Sequence, residues 1–125
     1  MRFARFNLVG LLGFGVQAAV LGALAAAGWP LVSATTVAVE AAVLHNFAWH
    51  ERWTWADRRT GTIAARLVRF HLSNGLVSMA GNVLLTTSLA GAGVPLIAAN
   101  AVAVAACAAA NFVFAERFVF ARPAP

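Results

Sequence analysis

Four stretches dominated by apolar side chains divide the chain: about Asn7–Ala27, Leu31–Trp49, Leu67–Leu89 and Val94–Ala115. A hydrocarbon layer about 30 Å thick takes roughly 20 apolar residues per helix, so each stretch is long enough to span it. Between the first two lies Gly28-Trp29-Pro30, and between the last two Gly91-Ala92-Gly93-Val94-Pro95. Such short Gly/Pro breakers allow only tight turns. The pattern predicts an all-α membrane protein whose four transmembrane helices form two tandem hairpins. The segment joining the hairpins, Glu51 to Gly61, is the one stretch polar enough to sit in water.

Composition agrees with that pattern. Of 125 residues, 62% are hydrophobic and 10% charged, against roughly 45–50% and 25% in soluble domains. Nine basic and four acidic side chains are too few to coat a water-soluble surface of this size. Cys107 has no second cysteine to pair with, so it is read as a small packing residue.

The basic residues are all arginine, and they orient the bundle. Arg2 and Arg5 precede the first stretch. Arg52, Arg58, Arg59, Arg66 and Arg69 lie in or just beyond the central segment, and Arg117 and Arg122 follow the last stretch. The two hairpin turns hold none, which places both termini and the central segment on the cytoplasmic side. A net charge of +5 spread over interfacial segments points to anionic lipid headgroups as partners rather than nucleic acid. Arg2, Arg5 and Ala25-Ala26-Ala27 resemble a secretory signal with its cleavage site. The internal repeat argues against cleavage.

That repeat appears when the sequence is slid against itself by 65 positions, which lays Asn46 on Asn111. Both copies read N-F-x-aromatic-x-E-R-aromatic-x-aromatic. Pro30 meets Pro95, Gly10 meets Gly75 and Gln17 meets Asn82, while Arg5-Phe6 meets Arg69-Phe70 with one extra residue in the second copy. The chain is thus a single domain over residues 1–125, with repeat 1 at about 5–55 and repeat 2 at about 69–120. Two spans per copy give both copies one orientation, with a pseudo-axis along the membrane normal. Losing the first span would destroy one copy.

At these residues the chain resembles the GtrA-like family. The resemblance rests on Arg5, Phe6, Val9 and Gly10 at the start, Glu40 within the second stretch, Asn46-Phe47 with the aromatic and basic residues at its end, and the closing Asn111, Phe112, Arg117, Val119 and Phe120. It covers essentially the whole chain. It implies a small four-span protein of the bacterial inner membrane, engaged in cell-surface polysaccharide or glycolipid synthesis. The implied role is flippase-like: translocation of a polyprenyl-phosphate-linked sugar beside a membrane glycosyltransferase. The second copy departs from the first, with Ala105 where Glu40 would repeat and Ala110 where His45 would.

Polar groups inside a bilayer are functional candidates because hydrocarbon offers them no partner. Glu40 is nine residues from both Leu31 and Trp49, hence near mid-span, and Ser33 and Thr36 share its helix face. A desolvated carboxyl there suits a proton-linked or cation-pairing role; the competing role is a hydrogen-bonding bridge between helices. In the third stretch His71, Asn74, Ser78, Asn82 and Thr86 form one polar stripe, longer than helix association requires. Asn7, Gly10 and Gln17 on the first stretch, and Asn100, Cys107 and Asn111 on the fourth, add polarity towards a hydrated or ligand-filled interior. Gly10, Gly13, Ala18, Gly22, Gly75 and Gly81 would let helices approach closely.

The repeated E-R-aromatic segments have two readings. Trp49, Trp53, Trp55, Phe114, Phe118 and Phe120 are placed for an aromatic belt, with Arg52 and Arg117 snorkelling to headgroups. Alternatively Arg52 and Arg117, with Arg5 and Arg69, gather a lipid phosphate, whose oxygens match guanidinium forks. The candidate ligand-binding set is therefore Glu40, Asn46, Arg52, Arg69, His71, Asn74, Ser78, Asn82, Asn111 and Arg117.

His45, His50 and His71 have no metal-ligand spacing. No nucleophile triad, phosphate loop or cofactor motif is present, so no enzyme, metal or cofactor is expected. Two rival functions stand beside translocation: a small proton-coupled multidrug-type exporter and a non-transporting partner of a glycosyltransferase. The arginine bias speaks against the exporter, which inserts in both orientations. Four helices make a thin wall around a bulky headgroup, which leaves a homo-oligomer open.

Overall fold

The computed structural model describes residues 1–125 and is all-helical. Helix α1 covers Arg2–Ala26, α2 Leu31–Trp49, α3 Ile63–Gly91 and α4 Leu96–Phe114. A π-helical turn continues α2 over His50–Thr54 and another continues α4 over Ala115–Val119. The chain forms two compact units, Met1–Asp57 and Arg58–Pro125, each a helical hairpin. Three of the four helices, α1, α2 and α4 with their π-turns, are long and apolar enough to cross a membrane. Although α3 is the longest at 29 residues, Asn, Ser, Thr and His along it dilute its hydropathy.

The hairpin turns follow from backbone chemistry. Gly28 and Gly93 adopt φ of 83° and 96°, a left-handed conformation that favours glycine. Each lets the next residue bond back into the helix: Trp29 N–H donates to Leu24 O and Val94 N–H to Leu89 O, both at 3.0 Å, the pattern of a Schellman stop. Pro30 and Pro95 then open the next helix, each accepting its first backbone bond at 2.9 Å, from Ala34 and Ala99. A proline loses nothing there because its missing N–H would be an orphan anyway.

Small residues at four-residue spacing bring the helices of each hairpin together. Ala34, Ala38 and Ala42 are buried on α2, and Ala99, Ala103, Cys107 and Asn111 on α4. Two glycines complete the approach. A Cβ on Gly13 would collide with the side-chain amide of Asn46, and one on Gly81 would sit 2.6 Å from Cys107 Sγ. The other three glycines expected to mediate packing, Gly10, Gly22 and Gly75, have nothing within 4 Å of a built Cβ. They lie on outer helix faces, where a small side chain gives no closer contact. Gly13→Ala should therefore cost about 1–3 kcal/mol by overpacking, read as a lower melting temperature in detergent. Shortening Asn46 to Ser in the same chain should recover most of the loss.

Each open end, opposite its hairpin turn, is closed by aromatic packing. In the first unit Phe6 stacks on His50 with centroids 4.8 Å apart and an 11° interplanar angle. Trp55 meets both edge-on, at 6.1 and 5.2 Å, and is 0% exposed. The π-turn makes this possible: the bond from Trp55 N–H to His50 O at 2.9 Å spans five residues and rotates Trp55 inwards. In the second unit Phe120 N–H bonds Ala115 O at 2.8 Å, and Phe70 and Phe120 are buried.

Candidate functional site

The third-helix stripe faces α4. Asn111 Nδ2 donates to Ser78 Oγ at 2.8 Å, Asn100 Nδ2 reaches Thr86 Oγ1 at 3.4 Å and Cys107 Sγ points at Val77 O at 3.6 Å. Asn82 Nδ2 donates to Ser78 O at 2.7 Å, and His71 Nδ1 lies 3.0 Å from Leu67 O. Much of the stripe thus bonds within its own hairpin, as helix-bridging polarity does. The carbonyl oxygens Asn82 Oδ1 and Asn111 Oδ1 are shielded without a hydrogen-bond partner. Asn74 is half-buried. Position 46 in the first hairpin corresponds to Asn111, and there the partner position is bare Gly13 instead of Ser78. Asn46 Oδ1 also receives a contact from His45 Nδ1 at 3.2 Å.

Other expected interior groups point elsewhere. Asn7 is exposed and donates to Phe3 O at 2.8 Å, and Gly10 and Asn100 are exposed. Ser33 bonds Pro30 O and Thr36 bonds Val32 O, at 3.0 and 2.8 Å, so both hydroxyls serve their own helix. Glu40 is exposed at mid-helix. It lines a shallow apolar cleft of about 550 Å³ with Leu31, Val32, Thr35, Thr36 and Val39.

Eight of the nine arginines separate into three groups. Some are structural: Arg66, 4% exposed, donates through one nitrogen to Thr60 O and Gly61 O, both at 2.8 Å, tying down the loop before α3. Arg2 pairs with Asp57 at 2.6 Å. Arg5 is held against Trp53, its guanidinium carbon 5.2 Å from the ring centroid and its Nη1 donating to Trp53 O at 3.3 Å.

A second group builds a basic cleft. Arg58, 5% exposed, pairs with Glu116 at 3.2 Å. These two, with Ala121 and the exposed guanidinium groups of Arg117 and Arg122, line a space of about 460 Å³. Sequence reasoning singled out Arg117 but missed Arg58, Glu116 and Arg122. The signal lay in Glu116 standing 58 positions from a buried arginine, which no local pattern reveals. Arg58 was read as a solvated loop cation; it is buried instead, paired with Glu116 of its own unit.

Arg52 and Arg69 make up the third group, exposed on their helical segments. Arg69 borders a largely apolar groove of about 430 Å³ walled by Leu72, Ser73, Leu76, Val77, Phe114 and Phe118. The π-turn after α4 thus sends Glu116 and Arg117 to the basic cleft and Phe118 to the groove.

Comparison with known proteins fits this architecture. Residues 5–120 match the family described as GtrA/DPMS, transmembrane domain. A 72-residue stretch is 39% identical to a protein of Pyrococcus furiosus named dolichol-phosphate mannosyltransferase. That stretch covers 58% of this chain but 20% of the relative, so the likeness concerns one part of a longer protein. A match over nearly the whole length, on hairpins that carry the repeated motifs, means that the chain belongs to the GtrA/DPMS transmembrane-domain family, whose members are membrane proteins of glycolipid and polysaccharide synthesis.

Proposed function

We propose that this chain is a non-enzymatic four-span protein of the bacterial inner membrane, a tandem repeat of two hairpins with both termini cytoplasmic, and that it translocates a polyprenyl-phosphate-linked sugar. The observation that carries the reading is the basic cleft. Arg117 and Arg122 present open guanidinium groups beside a buried Arg58–Glu116 pair, a cluster suited to bidentate capture of phosphate oxygens. The name of the Pyrococcus relative supports the lipid class, since dolichol phosphate is a polyprenyl phosphate. The arginines of each hairpin lie at its open end, away from Gly28 or Gly93, which supports the orientation. The third helix counts as a span in this reading because its length exceeds the bilayer core and its polar groups bond within the hairpin, to α4 or to carbonyls of their own helix.

The test is translocation of a fluorescent polyprenyl-phosphate sugar in proteoliposomes carrying the full chain. Arg117→Gln with Arg122→Gln should slow it tenfold or more while leaving the melting temperature unchanged, because both side chains are exposed. An unchanged rate would reduce both to headgroup anchors. A second reading has one specific support: the matched stretch is a fifth of a longer mannosyltransferase chain, so the domain serves as a docking partner for a glycosyltransferase. Co-purification of a glycosyltransferase, together with no translocation by the wild-type chain, would favour that reading.

A further inference from the structure

The two hairpins treat equivalent arginines differently. Trp49 and Trp53 stand 65 positions before Phe114 and Phe118, and Arg5 is the counterpart of Arg69. In the first hairpin the arginine is consumed internally by the Trp53 ring and carbonyl, and Trp49 packs edge-on to Trp53 at 6.3 Å and 74°. In the second, Phe114 and Phe118 lie stacked, 5.4 Å apart at 27°. Phe118 has no indole and lacks the larger ring to hold Arg69 down. The result is a largely apolar trough with an unengaged guanidinium at its rim; its one hydroxyl, on Ser73, is turned back to Arg69 O at 2.8 Å.

From this asymmetry we infer that the second hairpin alone carries a seat for one polyprenyl phosphate, with the phosphate on Arg69 and the isoprenoid chain along Leu72, Leu76, Val77, Phe114 and Phe118. The inference rests on the lipid class proposed above and deepens it by assigning this seat, apart from the basic cleft, to the sugar-free carrier, a phosphate monoester, rather than to the sugar-loaded phosphodiester. A cation at the head of a single apolar trough calls for an amphiphile with an anionic head and one tail. A phosphate monoester carries about −1.5 to −2 charges near neutral pH and three acceptor oxygens, which the guanidinium fork can engage in pairs. A diacyl phospholipid offers a phosphodiester with fewer free oxygens and brings a second tail that the trough does not accommodate. Flat aromatic faces and branched aliphatic side chains suit a methyl-branched, unsaturated chain.

The experiment is native mass spectrometry of the detergent-solubilised full chain, titrated separately with a long-chain polyprenyl phosphate and with phosphatidylglycerol. Arg69→Gln and the groove-filling Leu76→Trp should each weaken polyprenyl-phosphate binding at least tenfold without changing phosphatidylglycerol binding. Leu76 is 66% exposed, so the bulkier side chain disturbs no core. Leu11→Trp, the same change at the equivalent position of the first hairpin, should stay within twofold of wild type. Unchanged binding in Arg69→Gln or in Leu76→Trp would overturn the seat. Equal losses for phosphatidylglycerol would make it an ordinary annular lipid contact, and an equal loss in Leu11→Trp would remove the asymmetry. Binding is read apart from movement: a chain that binds through Arg69 but does not translocate keeps the seat and refutes transport. A chain that translocates while Arg69→Gln binds normally does the reverse.

Discussion

Glu40→Gln is expected to reduce translocation at least tenfold while shifting the melting temperature in detergent by no more than a degree or two. The carboxyl stands on an exposed face in the middle of α2, bordered by Thr36 and apolar side chains. In a bilayer that position is costly, about 2.5–3.5 kcal/mol even on the lenient insertion scale. Such a cost is retained where the group has a task. Ala34, Ala38 and Ala42 form the buried line of α2, and Glu40 lies off that line on an exposed face. Gln preserves the shape and most of the hydrogen-bonding capacity but removes the ionisable proton, and substitutions at exposed positions usually change stability by less than about 0.5 kcal/mol. Activity and stability therefore separate. Full translocation by the Gln variant would remove Glu40 from the site and leave the arginine cleft and the third-helix stripe centred on Asn74, Ser78 and Asn82.

Much of the architecture was written locally in the sequence. The boundaries of α2, Leu31 and Trp49, are those of its apolar run, because Pro30 starts the helix and the change to π geometry coincides with the first polar cluster. Both hairpin turns were legible because Gly28 and Gly93 carry a conformational requirement that few other residues meet. The start of α1 was not: apolarity begins at Asn7, yet the helix begins at Arg2, since arginine is a good helix former and needs no apolar partner to sustain a first turn. The same reason carries α3 back to Ile63, four residues before its apolar run. The π-turns were read as loop. Nothing in a period of 3.6 announces a turn that bonds across five residues; only the repeated aromatics at Trp55 and Phe120 marked the place.

The site was legible by residue type more than by arrangement. Arginines and amides were the correct candidates, but their roles depend on neighbours distant in sequence. Arg58 meets Glu116 at 3.2 Å, Asn111 meets Ser78 at 2.8 Å, and Arg5 folds onto Trp53. Equivalence across the repeat suggested that Arg52 and Arg117 act alike. In the structure Arg117 borders a cleft with two further arginines, while Arg52 is an exposed side chain on its turn. The repeat preserves the backbone and lets the side chains diverge, as Trp53 and Phe118 do. Function divided between two copies need not be shared equally between them.

Trp55→Ala should lower stability by about 3–5 kcal/mol, the range for deleting a large buried aromatic, and drop the melting temperature by roughly 10 °C or more. No other side chain fully buried in this chain is larger. It covers both Phe6 and His50, so its loss opens a cavity bounded by two rings that then contact nothing on one side. The consequence extends to α1, because Phe6 and Val9 are two of its three buried residues and Phe6 would lose its cover. His50 would also become accessible to water while still bonded at Nδ1 to Thr54 Oγ1 at 2.9 Å. Trp29→Ala and Trp53→Phe form the comparison, both exposed and both expected to cost less than about 1 kcal/mol. The measurement is thermal unfolding in detergent followed by circular dichroism, with indole fluorescence as a second probe. Trp55 should contribute the blue-shifted emission that disappears in the Ala variant. Equal melting temperatures for Trp55→Ala and Trp29→Ala would mean that the aromatic closure does not hold the open end of the first hairpin, and that α1 is retained by the Gly13–Asn46 approach alone.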